Sequence, residues 1–192
     1  MIYIIDDFFD KSYYEYMAKR LSKGKDIEVD TGHKKFYVQP ADKIFTRLVC
    51  ERLAQEENKV IQPILSFFRC ATDELDTDWR IHSDYIIEGV NPDRACVYYM
   101  SESKLDELNG TAFWEHERYG SKLPKGSTIE EFNNIILKDS EDLSKWKLKS
   151  VIGNQENRLI SYPASYFHSK YPNKSWKEGR RVFVMFYKTI DK

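Results

Sequence analysis

A mainly β fold carrying N-terminal helices, of the α+β class, is predicted by three features of the chain. Two helix-patterned segments stand at its start, short runs rich in β-branched and aromatic residues follow from Ile64, and the last of these runs is apolar on both faces. At 192 residues the chain is near the usual size of one domain and can bury most of its apolar surface without disulfides or oligomerisation. No repeat, low-complexity tract or linker divides it, so 1–192 reads as a single domain. Residues 1–62 supply an N-terminal strand and supporting helices, and 63–192 a sheet core.

The elements follow in order. Ile2 to Ile5 is a short apolar strand, and DDFFDKSYYEYMAKRLSK then places Phe9, Tyr13, Tyr16, Met17 and Arg20 at helical spacing after an Asp or Ser cap. HKKFYVQ, 33–39, reads as a second short strand. Between Pro40 and Pro63 the pattern predicts a helix with Ile44, Leu48, Leu53 and Val60 near one face. The strand runs are ILSFFRCA at 64–71, ACVYYMS at 95–101, GTAFWEH at 110–116, KLKSVIG at 147–153, NRLISYP at 157–163 and RRVFVMFYKTI at 180–190. The polar stretch from about 117 to 145 opens with Gly and Pro and has a capping signature, Ser127-Thr128 ahead of Glu130 and Glu131. It reads as an insertion carrying a helix between two strands. In the last run Arg181, Phe183, Met185 and Tyr187 share one face, and Val182, Val184 and Phe186 the other, so this strand belongs inside a sandwich with helices on one side. Short antiparallel strands in two sheets backed by helices describe a double-stranded β-helix, the jelly roll of the cupin type.

Composition excludes some roles. With 30 basic against 31 acidic residues, no net field favours nucleic acid or an anionic membrane. Cys50, Cys70 and Cys96 are odd in number and widely spaced, so they read as free thiols rather than a disulfide framework or a zinc-thiolate site. No apolar run has the length of a signal peptide or a membrane span, which makes a cytoplasmic location the expectation, and the sequon Asn173-Lys174-Ser175 reads as chance.

The stretch WRIHSDY, 79–85, carries the first sign of chemistry. Side chains two apart on a strand point the same way, about 6.5 Å from each other. His82 and Asp84 can therefore share an ion if their face looks into the barrel. A third ligand must come from His33, His116 or His168. His168 stands out, because a strand, a Tyr-Pro turn and an aromatic step deliver it shortly before a final strand that begins with arginine. Two histidines and a carboxylate on one octahedral face form the facial triad of non-haem Fe(II), which leaves positions open for a chelating co-substrate and oxygen. An arginine at the start of an inward-facing strand can form a two-pronged pair with the far carboxylate of a 2-oxo diacid.

On His82-x-Asp84, the strand ACVYYMS, the strand NGTAFWEH, the distal His168 and Gly179-x-Arg181, the chain resembles the Fe(II)/2-oxoglutarate-dependent dioxygenases, and within them the prolyl-hydroxylase-like branch. The opening IYIIDDFF with its helix is similar to that branch's, and GTAFWEH with NRLISYPASYFHS resembles a bacterial and viral subgroup. The resemblance implies that His82, Asp84 and His168 bind iron and that Arg181 binds the distal carboxylate of 2-oxoglutarate. The G-x-R pattern prefers Arg181 to Arg180. It further implies that Tyr98 or Tyr162 donates its hydroxyl to the co-substrate, and that Fe(II), 2-oxoglutarate and O2 together hydroxylate an unidentified small molecule, amino acid or peptidyl side chain. Asp84 fills the ligand position that a halogenating oxygenase leaves open for chloride.

Other readings compete. A cupin-like binding module, or a Zn(II) or Mn(II) hydrolase or isomerase, could use the same ligands, but neither needs an arginine behind the metal. His116 reads as structural rather than as a ligand, His33 as a turn residue, and Arg158 and Arg180 as solvated or paired surface groups. Trp79 and Tyr85 are candidates for the pocket wall, Ser83 points away from it, and one or two of Phe113, Trp114, Tyr166 and Phe167 should line its mouth. The loops at 85–94 and 117–145 are the segments expected to select substrate.

Overall fold

The structure, a computed structural model, describes residues 1–21, 25–30, 35–72, 80–85, 87, 89–101, 108–172 and 180–192. His33, Trp79, Gly179 and the sequon at 173–175 lie outside them. In chain order the elements are β1 (Tyr3–Ile5), α1 (Lys11–Leu21), β2 (Ile27–Asp30), β3 (Lys35–Pro40), α2 (Lys43–Glu56), β4 (Lys59–Ala71), β5 (Arg94–Tyr99) and β6 (Gly110–His116). Then come α3 (Ile129–Asn134), which runs on as a π-helical turn over Ile135–Asp139, β7 (Trp146–Gly153), β8 (Leu159–Pro163), β9 (His168–Tyr171) and β10 (Arg180–Asp191). Every strand pairing is antiparallel.

The strands form a seven-stranded sheet in the order β1-β8-β5-β10-β4-β3-β2 and a three-stranded sheet in the order β7-β6-β9. This is the jelly roll expected from the sequence. Its layers are visible in the burial pattern, because β10 splits as its alternation requires. Phe183, Met185 and Tyr187 join Phe45, Val49 and Leu53 of α2 and Met17 of α1 in one core cluster, between the helices and the large sheet. Val182 and Phe186 join Val97, Phe113 and Tyr162 in a second cluster, between the two sheets. A third, of Ile81, Leu123, Ile135, Trp146 and Phe167, packs the insertion against the small sheet.

Local signals account for most element ends. Asp10 accepts from the Tyr13 amide at 3.0 Å at the start of α1, and Asp42 from the Ile44 amide at 2.8 Å at the start of α2. The predicted cap of the insertion helix is present as a reciprocal pair between Thr128 and Glu131. Gly110 is explained by a close approach, since a Cβ there would lie 2.0 Å from the Ile152 carbonyl oxygen.

Two expectations are corrected. The second helix stops at Glu56 instead of running toward Pro63, and Lys59–Ala71 is one long strand. Pro63 is accommodated because β4 bulges there: Leu65 pairs with Phe186 but Pro63 with Tyr187, so Ile64 has no opposite residue. The apolar face of α2 is Phe45, Val49 and Leu53, while Ile44 is 61% exposed and Val60 lies on the strand. The stripe is displaced by one residue at its start because Phe45 packs on Phe68 and Phe183, with ring centroids 5.2 and 5.0 Å away.

The end of α2 is tied to the sheet by a buried polar network. Glu57 accepts from Arg94 Nε at 3.1 Å, Ser161 Oγ at 2.8 Å and Tyr187 Oη at 2.5 Å. Glu57→Ala leaves the Arg94 charge without this partner, and is expected to lower stability by about 3 kcal/mol, read as a shift of the urea midpoint at unchanged slope. Arg158 pairs with Asp6 through Nε at 2.5 Å and Nη2 at 3.0 Å, the paired surface role expected of it. Burial pushes the Cys50 thiol up to about 11, so it is protonated at neutral pH, as expected of an inert thiol. Among the described residues no helix is long and apolar enough to cross a membrane.

Candidate metal centre and its cavity

The stretch around His82 is not a regular strand. Among residues 80–85 only His82 makes a bridge, and its partner is His168 at the start of β9. The two exchange both main-chain hydrogen bonds, His82 N to His168 O at 3.0 Å and His168 N to His82 O at 2.8 Å. Directly opposed residues of an antiparallel pair present their side chains to the same face, and the imidazole centroids are 4.5 Å apart. One bridge thus brings together two histidines that are far apart in sequence.

Each ring is oriented in the same way. His82 Nδ1 donates to the Arg80 carbonyl at 2.8 Å and His168 Nδ1 to the Tyr166 carbonyl at 3.0 Å. A carbonyl only accepts, so each Nδ1 carries a proton, and the neutral ring in this tautomer offers its Nε2 lone pair to a metal. Asp84 is held by its amide on the Ala164 carbonyl at 2.8 Å. Its Oδ1 lies 3.8 Å from His82 Nε2 and its Oδ2 3.3 Å from His168 Nε2. The three ligand atoms all fall within 4.8 Å of one another. Asp84 and His168 are buried, and His82 is half-buried. The expected trio is therefore brought together, through a loop with a single bridge rather than through a strand. The donor set suits a divalent transition metal, and the main-chain bonds behind both rings are the outer support that such sites use.

This wall belongs to a cavity of ≈ 570 Å³ between the two sheets. Tyr162 and Arg180 line it, together with Val97, Thr111, Val182 and Val184. Tyr162 packs on His168 with ring centroids 4.8 Å apart. Its phenol is held well above its ordinary value, first by burial and then by the Asp84 charge, so it stays a hydroxyl.

Here the arginine assignment is corrected. Arg180, not Arg181, is on the cavity side of β10, in line with Val182 and Val184, and it is buried. Its guanidinium carbon lies 5.1 Å from the Tyr99 ring centroid, and Nη2 donates to Thr111 Oγ1 at 3.4 Å. Thr111 Oγ1 lies 2.8 Å from Tyr99 Oη, so a short polar chain fixes the guanidinium. Arg181 shares the pleat of Phe183 and Met185, which face the helices, while its main chain bonds Ser101 Oγ and the Met100 amide at 2.9 Å each. The reason is the two-residue period of the strand: moving one position changes the face.

Tyr98 is corrected on the same ground. It lies in the helix-side core, and its hydroxyl donates to Asn157 Oδ1 at 2.7 Å. Asn157 in turn clamps the main chain of Phe9, so Tyr98 secures the N-terminal segment. The neighbouring Tyr99 is the one that reaches between the sheets. Ser83 lines the cavity instead of pointing away, because the irregular backbone at 80–85 does not alternate. Tyr85 packs with the insertion cluster, and its hydroxyl accepts from the Gly126 amide at 3.1 Å.

Phe113, Trp114, Tyr166 and Phe167 do not line the cavity, whose aromatic wall is Phe36, Phe67, Phe132 and Phe186 along with Tyr162. His116 is also outside it. The ring packs on Trp146 at 4.5 Å between centroids, and Nε2 lies 3.2 Å from Asp139 Oδ2, joining the π-helical turn to the small sheet. Sequence reasoning missed Thr111, Tyr99, Arg69, Arg80 and Lys170. The alternation of β10 contains the signal for Arg180, because it shares parity with Val182 and Val184. Nothing in the sequence says which face is the interior.

No protein-family model matches the chain, and no curated protein matches it. Solved structures do. HygX from Streptomyces hygroscopicus, crystallised with nickel, 2-oxoglutarate and hygromycin B, matches with a TM-score of 0.61 and 15% identity, over 97% of this chain and 82% of HygX. SnoK, a non-haem α-ketoglutarate-dependent carbocyclase from nogalamycin biosynthesis, matches at 0.68 and 10% identity, over 98% of this chain and 80% of its own. A Pseudomonas putida prolyl-4-hydroxylase matches at 0.57 and 10% identity, over 97% and 91%. Likeness at such low identity establishes the shared jelly-roll fold.

Proposed function

We propose that this chain is an Fe(II)- and 2-oxoglutarate-dependent oxygenase of the prolyl-hydroxylase-like branch that hydroxylates a small molecule or a peptidyl side chain. One observation carries the reading: His82, Asp84 and His168 present their ligand atoms within 4.8 Å of one another on the wall of a cavity that also holds Arg180. Metal-binding modules and metal hydrolases have no use for a buried guanidinium behind the metal. The likeness to HygX, SnoK and the Pseudomonas putida hydroxylase supports the same chemistry.

His82 Nε2, His168 Nε2 and an Asp84 oxygen would hold the iron, with the two Nδ1 protons bonded to carbonyls so that both imidazoles bind as neutral ligands. With iron, 2-oxoglutarate and O2 bound, the site supplies oxidative decarboxylation coupled to attack on an unactivated C–H bond. The residues of the chain do the rest. Arg180 pairs with the distal carboxylate of 2-oxoglutarate, its plane fixed by Thr111 and Tyr99. Tyr162 offers its protonated hydroxyl to the co-substrate. Val97, Val182 and Val184 exclude water from the space between. Asp84 completes the ligand set, which favours hydroxylation over halogenation.

The test is anaerobic titration of metal-free protein with Fe(II) and 2-oxoglutarate, followed by exposure to air. A visible metal-to-ligand charge-transfer band, then succinate, is expected. A protein that takes up the metal but gives neither band nor succinate sinks the reading and leaves a binding module or a metal hydrolase.

A further inference from the structure

His116 is the one histidine among the described residues to which the proposed function gives no part. It closes β6 and is 2% exposed, yet both of its ring nitrogens are engaged. Nδ1 accepts from the Arg118 amide at 3.1 Å, so the ring proton lies on Nε2, which donates to Asp139 Oδ2 at 3.2 Å. Trp146 meets the ring edge-on, with centroids 4.5 Å apart, and Phe167, the residue before His168, is 6.3 Å away. The imidazole is thus locked in one orientation, with Asp139 as the group it holds.

Asp139 ends the π-helical turn, and the carbonyls that leave this turn are in use. The last carbonyls of a helix have no partner within it. Here the Asp139 carbonyl accepts from Trp146 Nε1 at 2.7 Å, and the Ser140 carbonyl from the Ile81 amide at 3.0 Å. A π turn closes each hydrogen bond one residue further along than an α turn, and such turns recur at functional sites. Ile81 directly precedes His82 and is fully buried, packed with Leu123, Ile135, Trp146 and Phe167. Residues 80–85 form no regular strand, so main-chain bonds of this kind define where the ligands stand. The Ile81 bond anchors the loop before His82, and the bond from Asp84 to Ala164 anchors it after. Phe132 and Leu137 of the same helical segment line the cavity, so the turn reaches from the cavity wall to the small sheet.

We infer that His116 is a positioning residue of the metal centre. By holding Asp139 it fixes the π-helical turn, and with it the Ser140 carbonyl that seats Ile81, and so aims His82. His116 lies outside the cavity and acts through the backbone. What matters is its hydrogen bond, not the bulk of its ring. The inference rests on the reading of His82, Asp84 and His168 as metal ligands.

Co(II) binding to the protein without co-substrate tests it, because the affinity and the visible absorption of the bound ion report ligand geometry independently of turnover. His116→Phe and Asp139→Ala are expected to weaken Co(II) binding by about 10- to 100-fold and to change its visible spectrum, as loss of an outer support of a metal ligand does. His116→Gln, which keeps a donor for Asp139, should stay near wild type. Asp139 is partly exposed, so Asp139→Ala decides the matter if His116→Phe does not fold. Glu57→Ala, in the polar network at the end of α2, controls for general loss of stability: its Tm falls and its Co(II) affinity does not. Wild-type affinity and spectrum in either folded variant overturn the inference. So does a His116→Gln chain as weak as His116→Phe, or a Glu57→Ala chain as weak as either. A wild-type chain that takes up no Co(II) removes the metal-centre reading itself, and the inference with it.

Discussion

Asp84→Ala and His168→Ala are expected to abolish the proposed succinate production and charge-transfer band, with at least about a hundredfold loss of activity, since removing even an outer support of a metal ligand costs 10- to 100-fold. On the proposed reading both positions are indispensable, because one backbone device places each of the two side chains. His168 is fixed by its bridge to His82, and Asp84 by its amide on Ala164. A second measurement separates loss of metal from loss of fold. Saturating a native site at a hundred times its dissociation constant stabilises a protein by about 2.7 kcal/mol. For a chain of this length that corresponds to a rise in Tm of roughly 5–11 °C. Wild-type protein should show this rise with Mn(II) or Ni(II), and the Asp84→Ala chain should melt cooperatively without it. A full metal-induced rise in the variant would remove Asp84 from the ligand set.

On the proposed reading Arg180→Gln is expected to raise the KM for 2-oxoglutarate by roughly 10- to 150-fold, and Arg181→Gln to change it less than twofold. The magnitude follows from a hydrogen bond to a charged group, worth about 1.5–3 kcal/mol, at 1.4 kcal/mol per factor of ten. Arg180 is buried between the sheets beside Tyr99 and Thr111, and Arg181 shares the pleat of the helix-facing residues. Titration of 2-oxoglutarate against each variant, with the charge-transfer band as signal, decides between them. A large effect from Arg181→Gln alone would reverse the assignment.

The order of elements was legible because local patterns state it. Caps at Asp10 and Thr128 mark helix starts, and the aromatic, β-branched runs from Ile64 onward became strands. His82, Asp84 and His168 were legible as well, since histidines are few and the spacing around them is distinctive. A helix running to Pro63 was not excluded by pattern, because a strand can absorb a proline at a bulge, and that bulge is defined by the partner strand β10.

By itself the sequence determined that two alternating faces exist on the strand runs at 95–101 and 180–190, with Tyr98 opposite Tyr99 and Arg180 opposite Arg181. Only the tertiary structure decided which face is the interior of the barrel. Both faces of a strand inside a sandwich are apolar, so burial alone does not distinguish them. The α2 face of Phe45, Val49 and Leu53 claims one side, which leaves Tyr99 and Arg180 to the other. The same layering decided how His82 meets His168: a single main-chain bridge at the edge of the small sheet, a contact that no spacing along the chain encodes.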